Sequence, residues 1–71
     1  MLKLDDLLDL AIKKGLSPEV ANDLFIGKFR AKLDEKAKLG MDPEQAIWEA
    51  SEEALQETYQ ALQNYEVKNH A

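Results

Sequence analysis

The sequence predicts an all-α protein: a three-helix up-down-up bundle with a short first helix and two long ones, completed by dimerisation. Three observations carry this. Apolar residues recur at three- and four-residue spacing in three segments, and no run alternates as a strand would. Two closely similar marks divide the segments, Gly15-Leu16-Ser17-Pro18-Glu19 and Gly40-Met41-Asp42-Pro43-Glu44. The connections they form are short, and short connections join antiparallel helices.

Each mark stops one helix and starts the next. A glycine just past a helix end takes the left-handed conformation without a side-chain penalty, so the chain folds back onto the last carbonyls. Ser17 and Asp42 stand where a side-chain oxygen accepts from the first free amides. Pro18 and Pro43 occupy the first helical position, where a missing donor costs nothing. Gln45 follows Asp42 by three residues, a loose capping box.

The first helix is expected over residues 3–14. Leu4, Leu7, Leu8, Ala11 and Ile12 form its apolar face, with Asp5, Asp6 and Asp9 opposite and Leu10 off the face. The second is expected over 18–39, with Phe25, Ile26, Phe29, Leu33 and Ala37 as its main stripe. Val20, Ala21 and Leu24 add a second apolar side, which implies enclosure of the first half by two neighbours. Gly27 inside this helix costs about 1 kcal/mol relative to alanine, and close approach of another helix would explain it. The third is expected over 43–65. Ile47, Trp48, Ala54, Leu55, Thr58 and Leu62 lie on its broad apolar face, while Glu49, Glu52, Glu53 and Gln56 lie on its polar one. Phe25, Phe29, Leu33, Trp48, Leu55 and Leu62 are the expected large buried side chains, in the core or at a subunit interface. Residues 1–71 form one domain, with 67–71 as a frayed tail.

Composition narrows the classes. A chain this short buries only about 60% of the surface its unfolded form exposes. It has no cysteine, so thiolate chemistry and disulfide staples are excluded, and a reducing cytoplasm suits it. The start carries acids where a signal peptide would be apolar, and no segment reaches the roughly 20 apolar residues of a membrane span. Net charge is −5, unevenly spread. A basic patch, Lys28, Arg30, Lys32, Lys36 and Lys38, fills the second half of helix 2; an acidic face, Glu49, Glu52, Glu53 and Glu57, lies on helix 3.

Chemistry-bearing constellations are sparse. His70, the single histidine, is one residue from the end. Glu49 with Glu53, and Glu53 with Glu57, have the spacing of bundle carboxylate ligands but lack the Glu-x-x-His partners of a di-iron site. No nucleophile-base set, glycine-rich phosphate loop or calcium loop occurs. No enzyme activity, cofactor, metal or small-molecule substrate is therefore expected. Residues 11–17, Ala-Ile-Lys-Lys-Gly-Leu-Ser, resemble the first helix and turn of a helix-turn-helix. The segment that would read DNA, Pro18 to Leu24, holds two acids, no base, and only Asn22 as a base-reading side chain.

The expected function is protein–protein interaction, as a small accessory, adaptor or inhibitor protein that self-associates. A short first helix cannot cover the whole groove between two long ones. The uncovered part would comprise Leu33, Ala37, Leu39, Met41, Ile47 and Trp48, and a second copy would bury it. The same pairing would bring Lys32–Lys38 of one copy towards Glu49 and Glu52 of the other. Two further readings remain: a nucleic-acid mimic using the acidic face of helix 3, and weak DNA binding through the basic patch.

Overall fold

A computed structural model describes residues 1–65, which contain three α-helices: α1 (Leu4–Lys13), α2 (Pro18–Lys38) and α3 (Pro43–Asn64). All three pack against one another. Among the described residues there is no strand, and no helix is long and apolar enough to cross a membrane. Every helix boundary falls within one residue of expectation; the expected tail 67–71 and His70 lie outside the described residues.

The two marks fold as their letters require. Gly15 and Gly40 have φ of 78° and 80°, the left-handed conformation. At the first turn the Leu16 amide donates to the Ala11 carbonyl and the Gly15 amide to Ile12; at the second, Met41 donates to Lys36 and Gly40 to Ala37. Both patterns are Schellman closures, which occupy the last helical carbonyls. Ser17 Oγ accepts from the Glu19 amide at 3.2 Å, and Asp42 Oδ2 accepts from the Gln45 amide at 3.4 Å. At the start of α1, Asp6 accepts from the Lys3 amide at 2.8 Å.

The large-residue core sits at one end. Leu7 and Ala11 of α1, Ala21 of α2 and Leu62 of α3 are fully buried, with Leu10, Leu16, Phe25, Leu55 and Tyr59 packed around them. A clamp from α1 closes this end. The last turn of α3 has no basic residue of its own. Lys14 supplies one: its Nζ donates to the carbonyls of Gln63 at 2.9 Å and Tyr65 at 3.1 Å, satisfying free acceptors at the negative end of the helix dipole. Thr58 is fully buried beside this core, and its Oγ1 has no hydrogen-bond partner among the described residues.

Several faces are rotated from expectation. In α1, Leu10 packs on the core and Ile12 is exposed. The helix drops into a groove between two neighbours, so its buried arc centres on Leu7; Ile12 lies roughly 140° away at 100° per residue and falls outside it. In α2 only Ala21 is fully buried; Val20 and Leu24 reach solvent, so the first half is not enclosed. Gly27 is exposed, and an added Cβ would meet nothing within 4 Å, which overturns the expected close helix approach there. In α3 the buried seam is Ala46, Ala50, Ala54, Thr58 and Leu62, spaced by four, while Trp48 and Ile47 point outward.

The molecule is long: its Cα extents are 51 × 21 × 16 Å and its radius of gyration is 13.7 Å. A compact chain of this length would have a radius of gyration of about 11 Å. The α2–α3 hairpin, which outruns α1, contributes to this length.

Candidate interaction surface

The helices are 10, 21 and 22 residues long. At 1.5 Å per residue that is about 15 Å for α1 and about 31–33 Å for α2 and α3. The α3 residues packed on the core are Leu55, Tyr59 and Leu62, so α1 serves only the half of the hairpin remote from Gly40. The half nearer Gly40 is a pair of helices with no third layer among the described residues.

What is buried in that distal half is small. Ala46, Ala50 and Ala54 are 0–1% exposed and no larger apolar side chain there is fully buried. Leu33 and Met41 are half-buried in the same half, and the edge of the seam is polar. Lys28, Lys32 and Lys36 of α2 face Glu49, Glu53 and Glu57 of α3 in a staggered ladder. Lys36 Nζ lies 2.9 Å from Glu53 Oε2 and 3.5 Å from Glu49 Oε1. Lys32 Nζ reaches Glu57 and lies 3.5 Å from Glu53 Oε1; Lys28 Nζ is 3.8 Å from Glu57 Oε1. The lysine numbers rise as the glutamate numbers fall, so the two helices run in opposite directions. The side chains of Lys36 and Lys32 are only 14% and 21% exposed, which lays their methylene stems along the seam while the ammonium groups stay at its edge.

The ladder shifts its own titrations. Hydrogen bonding to Lys36 holds the Glu53 carboxyl below the usual carboxylate range, and Lys32 does the same for Glu57; partial burial opposes both. Reciprocally, Glu57 raises the Lys32 ammonium above the usual lysine value and Glu53 raises Lys36.

Around this seam lies the strip expected to be open. Leu39 is 77% exposed, Trp48 61% and Ile47 50%; Ala37 is exposed, and Leu33 and Met41 are half-buried. The structure thus brings all six residues to the distal end. Trp48 shares a shallow groove with Glu49, Glu52, Glu53 and Gln56. It is not a core residue of the single chain.

The acidic face and the basic patch were expected to act separately. Instead, Glu49, Glu53 and Glu57 pair with Lys28, Lys32 and Lys36 of the same chain, and Lys38 pairs with Asp34 at 3.1 Å. Glu52 and Arg30 have no ion-pair partner among the described residues. Of the groups expected to approach across two copies, Lys32, Lys36, Lys38 and Glu49 are already engaged within one chain; Glu52 is not, among the described residues. A sequence signal for the ladder existed: both rows step by four, and the rungs Lys28–Glu57, Lys32–Glu53 and Lys36–Glu49 are mirror images about the second turn. The Lys14 clamp on α3 had no such signal, because it depends on how α1 docks. No family model, curated protein or solved structure matches the chain.

Proposed function

We propose that this chain is a protein-binding helical module, an up-down-up bundle that a second copy of itself completes at the distal end of the hairpin. One observation carries the reading: α2 and α3 outrun α1, and the overhang presents Leu39, Ile47 and Trp48 to solvent around a seam that buries only alanines. Exposed apolar residues are ordinary singly; contiguous ones rimmed by charge mark interaction sites. A twofold partner supplies a matching strip at no cost in new sequence.

Nothing favours the two other readings to the same degree. A nucleic-acid mimic needs its carboxylates free, and three of the four are beside lysines. DNA binding needs free cations, and those lysines are engaged by the same pairs.

Light scattering across a concentration series tests the proposal. A mass of two chains is expected at high concentration, dissociating on dilution. Trp48→Glu or Ile47→Glu should return the mass of one chain without unfolding it, because both positions are exposed in the single chain. A mass of one chain at every concentration removes the second copy as occupant. Elution volume is a poor substitute, since a body 51 Å long runs ahead of its mass.

A further inference from the structure

The distal hairpin is held differently from the rest of the molecule. Its buried side chains are Ala46, Ala50 and Ala54, and α1 does not reach it. Each charged row is a liability alone: like charges at four-residue spacing repel along a helix. Lys28, Lys32 and Lys36 are tolerable in α2 because Glu49, Glu53 and Glu57 lie between and opposite them, and the reverse holds for α3.

We infer that the distal half of the α2–α3 hairpin is an electrostatic clasp that opens independently of the three-helix end when its carboxylates are protonated or its charges are screened. Protonating the glutamates leaves three lysines in a row with no counter-charge, and only alanine methyls with the half-buried Leu33 and Met41 to hold the helices. At 1 M salt the screening length falls to about 3 Å, comparable to the rung distances, and the glutamate ends of the rungs are 30–50% exposed.

The direction with pH follows from the groups that meet there. From α2 these are Lys28, Lys32 and Lys36; from α3, Glu49, Glu53 and Glu57, with the Gln45 side-chain amide donating to Glu49 at 2.8 Å. None of the charged groups of α1, Asp5, Asp6, Asp9 and Lys13, pairs with the ladder: Asp6, Asp9 and Lys13 line a cleft with Tyr59, and Lys14, just past the helix, caps α3. Lowered carboxyl values mean a contribution that is complete above the ordinary carboxylate range and disappears as pH falls through the lowered values. Raised lysine values mean a contribution complete below the ordinary lysine value and lost only above it. The clasp is therefore closed between roughly pH 5 and pH 10 and opens on the acid side first.

Amide hydrogen exchange by NMR on the full chain, dilute enough to be single by light scattering, tests this. Protection factors correct for the intrinsic effect of pH. Between pH 7 and pH 3.5, and between 20 mM and 1 M salt at pH 7, amides of 30–36 and 46–53 should lose at least about tenfold more protection than those of 7–11 and 58–62. Replacing Glu49, Glu53 and Glu57 together by glutamine should reproduce the distal loss at pH 7, and Glu53→Gln alone should do so in part. Glu52→Gln, off the ladder, should not. Exchanging one rung, Lys36→Glu with Glu53→Lys, should recover protection relative to Glu53→Lys alone. Loss at both ends together, or distal protection unchanged by acid or by the glutamine variants, overturns the inference.

Discussion

The two ends of the molecule solve the same packing problem by opposite means. At the proximal end three helices meet over Leu7, Leu62 and their neighbours, and the energy comes from apolar area removed from water. At the distal end two helices bury only alanines fully, with half-buried Leu33 and lysine stems beside them and charges as rungs. Alanine buries little area, but it lets backbones approach closely enough for the short Lys36–Glu53 contact. The difference teaches that a helix pair can be given register without being given much core. Ladder rungs fix which residues face each other, while Leu39, Ile47 and Trp48 are left exposed.

The contrast can be broken most forcefully at Leu7. Leu7→Ala removes the largest fully buried side chain of α1 and should cost about 2–5 kcal/mol by chemical denaturation, enough to unfold so small a domain. A near-native midpoint would mean that the three-helix end is not where the stability resides. Ala50→Leu probes the other end. The seam has room for a methyl, so overpacking should cost about 1–3 kcal/mol and disturb the rungs, seen as altered Glu49 and Glu53 carboxyl shifts in NMR. A well-folded variant with unchanged shifts would show that the seam is loose. Thr58→Val sharpens the boundary between the ends. It keeps the shape and removes a buried hydroxyl without a partner, so stability should rise by about 1 kcal/mol in the same denaturation assay. A fall would mean that the hydroxyl is satisfied in solution.

Much of the architecture was legible because its determinants are local. Gly15, Ser17, Gly40 and Asp42 act on amides and carbonyls within a few residues, so their letters located both turns. Faces were harder. Periodicity ranks residues by their own apolarity, and it placed Trp48 and Ile47 inward and Glu49 and Glu53 outward. The structure leaves Trp48 and Ile47 exposed and draws Glu49 and Glu53 to the edge of the seam, because Lys32 and Lys36 of α2 lie there to pair with them. That Leu39, Ile47 and Trp48 lie exposed in the half that α1 does not reach agrees with the helix lengths, which caps determine. Gly27 misled for a different reason: a glycine that packs closely and one that faces open space have the same letter.

The distribution of aromatic residues has an optical consequence. Trp48 is the sole tryptophan and stands at the distal end; both tyrosines, Tyr59 and Tyr65, stand at the proximal end. Indole emission and phenol absorbance therefore report from opposite ends of one short chain, with no label added. A melting curve recorded through each chromophore asks whether the two ends come apart at one temperature, as a single cooperative unit must, or at two.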